Sequence, residues 1–389
     1  MTQPPNGWGN QPLPPPPPEN GWQGQQPGQQ PPMQSPPSWG PQYQQQFTPP
    51  PPPKKSGGLK WALGGTALIA VIAITAVVTM SLSGRDKDNG DNGGRPTATA
   101  DSAANSEFAS ANDTGPITII TEDPSCAAWT PISNTLADSE KNGWIDRDPA
   151  IPASEWSPDL QRQYQEVGQA LKAATDQTEP LVKLTTHRIM RQLYEQFIAY
   201  ARAYADAIPS YTQPDNALVK TASSLSNILT DVCQTISNRS AAARAPLVPA
   251  TAEPAKIAPL GDPAHPERFL TSPNSVCPDW VSAADQFRAD TADWTKTDPN
   301  IPAAQWSPEQ RALNEDLIPL LRQSADALEE LGQRSGNATL QDFAQLAAQY
   351  RRAYAQAIPT YSVADSYLQR VGVFPVGMVT SACAAAGTS

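Results

Sequence analysis

Trp144, Asp148, Trp156, Tyr200, Arg202, Tyr204 and Tyr211 combine flat aromatic rings with one carboxylate and one guanidinium. The same set returns 150 residues later as Trp294, Asp298, Trp306, Tyr350, Arg352, Tyr354 and Tyr361. Lining one groove, such residues would suit sugar stacking or the capture of a peptide end. A structural reading competes with this one. In it the rings fill a core, Asp148 and Asp298 cap Asp-Pro turns, and Arg202 and Arg352 pair with neighbouring acids. Tyr200, Tyr204 and Ile208 share one helix face, as core residues do.

Other chemistries find few residues to work with. The chain has two histidines: His187 aligns with Asn337 in the second copy, and His265 falls in a linker, so both read as surface residues. No Gly-rich phosphate loop occurs, and neither copy supplies a Ser/His/Asp set. The acid pairs Asp138 with Glu140 and Asp290 with Asp293 could imitate a glycosidase pair, but neither is reproduced as a pair in the other copy. No catalytic residue, metal or cofactor is expected.

The elements that position these residues follow from the duplication. A shift of 150 aligns Asp148-Pro149 with Asp298-Pro299, Trp156-Ser157-Pro158 with Trp306-Ser307-Pro308, and YARAYADAIPSY (200–211) with YRRAYAQAIPTY (350–361). Trp-Ser-Pro-acid reads as a helix start, with serine as N-cap and proline in the first turn. Ile189, Leu193, Phe197, Tyr200, Tyr204 and Ile208 mark a later helix, as do Phe343, Leu346, Tyr350, Tyr354 and Ile358, and Pro209 and Pro359 end them. An opening helix with Trp129 and a closing helix through Leu218, Leu225, Ile228, Leu229 and Val232 give about four helices per copy. The predicted fold class is therefore all-α: two tandem, disulfide-bridged small bundles at 123–239 and 273–389, joined by an Ala/Pro-rich linker at 240–272 that separates them. One cysteine near each end of each copy selects Cys126 with Cys233 and Cys277 with Cys383.

Ahead of the copies lies Trp61–Leu82, an uncharged apolar run of a length that crosses a bilayer, so 59–83 reads as a single transmembrane helix. Lys54, Lys55 and Lys60 precede it, while Arg85 and Lys87 follow. This bias, with every cysteine on the C-terminal side, places the tail in the cytosol and the copies outside the plasma membrane. Residues 1–58 hold 19 of the chain's 43 prolines and read as a disordered Pro/Gln/Gly-rich tail, open to a proline-binding partner. Residues 84–122, rich in Asp, Asn, Gly, Ser and Thr, read as a flexible stalk. The net charge is −11 over 389 residues, and residues 1–60 carry +2, so the remainder carries −13. That balance disfavours nucleic acid and anionic lipid as partners of the main body.

The plan of Pro/Gln/Gly/Trp-rich tail, the span KKSGGLKWALGGTALIAVIAITAVVTM, and an Ala-rich, disulfide-bonded exterior resembles proline-rich single-pass membrane proteins of mycobacteria and related actinobacteria. The resemblance covers residues 1 to about 100 and implies bundles that face the cell wall. The expected function is that of a non-enzymatic envelope protein presenting two helical modules to a protein or wall partner. The alternative is an envelope sensor that takes a ligand at the shared aromatic positions, and a third reading is a wall-glycan hydrolase.

Overall fold

The computed structural model describes residues 107–387, which are helical and contain no strand. The tail at 1–58, the apolar run at 59–83 and the start of the stalk lie outside the described residues. Among the described residues no helix is long and apolar enough to cross a membrane.

The first copy contains α1 (Cys126–Ser139), α2 (Pro158–Leu184), α3 (Arg188–Ala207) and α4 (Asn216–Ser237), followed by the short α5 (Ser240–Arg244). The second contains α6 (Cys277–Asp290), α7 (Pro308–Arg334), α8 (Ala338–Ala357) and α9 (Ser366–Ala385). The start signals act as their residue types require. Ser157 Oγ accepts the Leu160 amide at 3.2 Å, Ser307 Oγ accepts that of Gln310 at 3.1 Å, and proline takes the first position of each helix, where its missing donor costs nothing.

Within each copy the four helices pack in sequence order, and a disulfide ties the first to the last. Cys126 joins Cys233 with Cα atoms 5.4 Å apart, and Cys277 joins Cys383 with Cα atoms 5.8 Å apart. Beside each bridge a fully buried tryptophan reaches a partner on the closing helix: Trp129 Nε1 donates to Thr230 Oγ1 and Trp280 Nε1 to the Val376 carbonyl, both at 3.1 Å. Burial makes such a bond necessary, since an unpaired indole N–H would cost about 1–3 kcal/mol.

The linker does not hold the copies apart. α4 and α9 make the most extensive helix–helix contact of the molecule, and α3 meets α8 beside it. The apolar closing helices carry a second face that one bundle alone cannot bury, so the copies cover each other. Gln192 and Asp342, one position seen in both copies, touch across this seam at 2.8 Å (Nε2 to Oδ2). Contact between equivalent positions marks an approximate twofold relation. α3 and α8 are consequently buried almost all round.

The expected flexible stalk also ends earlier than its composition predicts. Phe108, Ile117, Ile119 and Ile120 are buried in the common core, so residues 107–122 lie on the body as an arm. The apolar ITII run at 117–120 overrides the polar composition around it.

Candidate functional site

In the first copy four of the seven shared residues converge, around one residue that sequence comparison missed. Tyr164, fully buried, stacks on Trp156 at 3.9 Å between ring centres and meets Trp144 and Tyr211 at 5.0 Å each; Tyr204 closes the group 6.2 Å from Tyr211. Over Trp144 lies the Arg147 guanidinium at 3.5 Å, bonded to the Trp144 carbonyl and to Asn216 Oδ1. Neither Tyr164 nor Arg147 is shared: their counterparts are Asn314 and Thr297. The second copy gathers Trp294, Trp306, Tyr354 and Tyr361, with Trp306 stacked on Tyr361 at 5.6 Å and Asn314 accepting from Trp294 Nε1 at 3.0 Å.

The buried Tyr164 and Tyr204 hydroxyls find no hydrogen-bond partner, while other polar atoms of the two clusters bond to the chain itself. Trp156 and Trp306 donate to the Ile151 and Ile301 carbonyls, and Tyr211 and Tyr361 donate to the Pro149 and Pro299 carbonyls. Asp148 and Asp298 each accept the amide two residues on, from Ala150 and Asn300, at 2.8 Å. This set pins the long Asp-Pro connection against the bundle.

Arg202 and Arg352 stand elsewhere. Arg202 pairs with Asp176 and Glu179 on α2, and Arg352 with Asp326 and Glu329 on α7. Tyr200 and Tyr350 are also separate from the aromatic clusters, and they reach across the seam. The Tyr200 hydroxyl donates to the Leu270 carbonyl at 3.4 Å, and the Tyr350 hydroxyl accepts the Ile120 amide at 3.3 Å. Leu270 leads into the second copy and Ile120 into the first. Each copy's entering segment is thus gripped by the third helix of the other.

A buried hub that went unread in the sequence sits where the first arm enters α1. Asp123 accepts from Ser125 Oγ and Thr185 Oγ1, each at 2.5 Å, and lies 3.0 Å from His187 Nδ1. Burial pushes its carboxyl up, yet the bonds from His187, Ser125 and Thr185 outweigh burial and hold it below its ordinary value. His187 is therefore half-buried and engaged, where a surface position is expected; His265 is exposed beside Asp262. Asp123, Ser125 and His187 are types that a hydrolase would use, but the serine bonds to the carboxylate and to Tyr194 rather than to the imidazole. The second copy builds the same junction without charge: Asn274 donates to the Ser335 carbonyl at 3.0 Å, and Asn337 caps α8 through Leu340. A one-residue offset between Asp123 and Asn274, and the change of residue type, hid the equivalence.

Of the acid pairs, Asp138 is exposed and ion-paired to Lys141, while burial pushes Glu140 up to about 7 against the opposing charge of Arg147. Asp290 and Asp293 engage Gln286 and Lys296. Among the described residues no group of three or more His, Cys, Asp or Glu is placed to hold a metal ion.

Comparison with known proteins gives the family. An uncharacterised protein of Mycolicibacterium smegmatis (strain MKD8) is 48% identical over 330 residues, 85% of this chain and 87% of the relative. No solved structure matches. Residues 108–387, which begin inside the arm and run to the end of the second copy, match the family model described as mycobacterial ESX-1 associated protein. On that coverage, the chain belongs to the mycobacterial ESX-1 associated protein family.

Proposed function

We propose that this chain is a non-enzymatic protein of the mycobacterial envelope, anchored through residues 59–83, whose fused double bundle is presented outside the membrane as a protein-binding scaffold linked to ESX-1 secretion. The observation that carries this reading is the use to which the duplicated polar residues are put. Arg202 and Arg352 each spend their charge on two carboxylates of the adjoining helix, and Trp156, Trp306, Tyr211 and Tyr361 bond to backbone carbonyls. What both copies preserve is thus a rigid shape, which suits recognition of a macromolecule. The family description supports the secretion setting.

The test is genetic. In a mycobacterium carrying this chain, removal of the gene should lower ESX-1 export. A chain bearing Asp138→Asn with Glu140→Gln should restore it as fully as the unaltered one. Unchanged export after removal would overturn the secretion link. If that variant folds with an unchanged Tm but does not restore export, the wall-hydrolase reading takes over. An aromatic-site sensor would instead show itself as a wall fragment that raises the Tm of the unaltered chain but not that of Trp306→Ala.

A further inference from the structure

Three buried polar atoms of the first aromatic cluster have no hydrogen-bond partner: Tyr164 Oη, Tyr204 Oη and Arg147 Nε. They belong to one place. Trp144 packs against both tyrosine rings, at 5.0 and 6.3 Å between centres, and its face carries the Arg147 guanidinium at 3.5 Å. That guanidinium also stands 5.7 Å from the centre of the Tyr164 ring. Both tyrosines are fully enclosed, whereas Arg147 is half-buried and reaches solvent.

All three atoms can donate. Burial pushes the Tyr204 hydroxyl up, against the pull of the Arg147 charge, so it keeps its proton near neutrality. The bonded nitrogens of Arg147 go to neutral oxygens, the Trp144 carbonyl and Asn216 Oδ1. Glu140 is pushed up to about 7 by burial, with the Arg147 charge pulling it down, so near neutrality it balances the guanidinium only in part. The fold does not require this arrangement. The second copy builds its bundle with Thr297 and Asn314 in place of Arg147 and Tyr164. There Asn314 accepts from Trp294 Nε1 at 3.0 Å and donates to the Gln310 carbonyl at 2.8 Å. The first copy instead keeps two unpaired buried hydroxyls, which lowers its stability. Phenylalanine would pack the same rings without that cost.

We propose that Tyr164, Tyr204 and Arg147 form a binding site for a carboxylate, whose oxygens accept from the two hydroxyls and from Arg147 Nε. This goes beyond the scaffold role and stands without it. Three unspent donors, one of them cationic, match an acceptor that carries negative charge. A carboxylate has about four lone-pair sites, enough for all three. The rings of Trp144, Trp156 and Tyr211 around them keep the local dielectric low and strengthen each bond. Entry is past Arg147, which stands on the connection between α1 and α2 beside the exposed Ile145. The carboxylate arrives on a small free acid or at the end of a peptide chain.

The test uses the full-length chain near neutral pH. Its Tm would be measured in sodium acetate and in sodium chloride of equal ionic strength, then with tetra-alanine bearing a free or an amidated C-terminus. Expected is a saturable rise with acetate or with the free-ended peptide, and none with chloride or the amidated peptide. A rise with acetate assigns a small acid; a rise confined to the free-ended peptide assigns a chain end. Tyr164→Phe and Tyr204→Phe should each raise the Tm in chloride, because an unpaired buried hydroxyl is gone, and should move the half-saturating concentration up about tenfold. Tyr361→Phe in the second copy removes a hydroxyl bonded to the Pro299 carbonyl, so it should lower the Tm and leave the carboxylate response intact. No specific rise with either carboxylate would overturn the proposal, as would a rise that both first-copy variants keep. So would a lowered Tm in chloride for both of them, since the hydroxyls would then be bonded within the fold.

Discussion

The two copies solve one packing problem with different residues at α3 and α8. Where the first has Ala201 and Ala222, the second has Arg351 packed against Gly372. A Cβ on Gly372 would stand 3.0 Å from Arg351 Cγ and 3.2 Å from its backbone nitrogen, and the Gly372 carbonyl accepts from Arg351 Nε at 2.9 Å. The guanidinium lies 4.1 Å over Phe287, and burial pushes it down to about 9. The second copy sets a large side chain against a glycine where the first has two alanines. At the arm junction the copies diverge in charge instead, with Asp123, Thr185 and His187 set against Asn274, Ser335 and Asn337. After duplication, geometry was held and chemistry drifted, pair by pair.

Loss of a bridge should separate the copies most strongly. Cys233→Ala and Cys383→Ala each open a loop of almost equal length, 107 and 106 residues, and should each cost up to about 4.7 kcal/mol in the chain-entropy account. Urea unfolding that shows unequal losses would reveal which copy leans on the other. Next in size is the exchanged pair. Gly372→Ala alone should cost about 1–3 kcal/mol by overpacking, and adding Arg351→Ala, which recreates the pair of the first copy, should recover most of it. Additive losses in that double-mutant cycle would break the comparison.

Titration comes third, and two aspartates should act in opposite senses. Asp123 is held below its ordinary 3.8, so its contribution to stability is complete above that pH and disappears as pH falls through the folded value. Asp123→Asn should therefore cost about 1.5–3 kcal/mol near neutrality and little in strong acid. Asp231 on α4 is pushed up to about 7 by burial against the favourable charge of Arg370 on α9, which it meets at 2.9 Å. The folded state keeps this proton longer than the unfolded chain, so stability from Asp231 falls as pH rises from about 4 to 7. Tm measured against pH for Asp231→Asn, subtracted from the parent, should show that slope. Smallest of all, Arg202→Gln and Arg352→Gln should each cost about 1 kcal/mol or less, because one carboxylate of each trio is largely exposed.

Much of this fold is legible in the sequence because it rests on short-range signals. Ser157-Pro158 and Ser307-Pro308 announce their helices, the 3–4 spacing of Leu193, Phe197, Tyr200 and Tyr204 gives the core face, and duplication pairs the cysteines. What escapes depends on contacts between distant segments. Composition treats 107–122 as stalk because four apolar side chains are diluted by polar neighbours. The linker reads as a spacer because the seam it bridges is made by α4 and α9, whose second apolar faces look like ordinary core until both copies are in place. The aromatic set is only half legible. Repetition finds Trp144, Trp156, Tyr204 and Tyr211 but passes over Tyr164, which has no counterpart. Repetition also groups Tyr200 and Tyr350 with them, although those two face the seam.

The crossing of the arms sets a timetable for the newborn chain. Ile120 cannot meet Tyr350 until 230 further residues have been made, whereas Cys126 and Cys233 are ready to join far earlier. For that interval Arg188 and Lys183 of the first copy can already hold residues 109–115, while Ile120 still lacks its partner. The Ile120–Tyr350 contact certifies that α8 has arrived. A chain truncated before α8 would leave the Ile120 end of this segment unmatched, the kind of surface on which chaperones and proteases act.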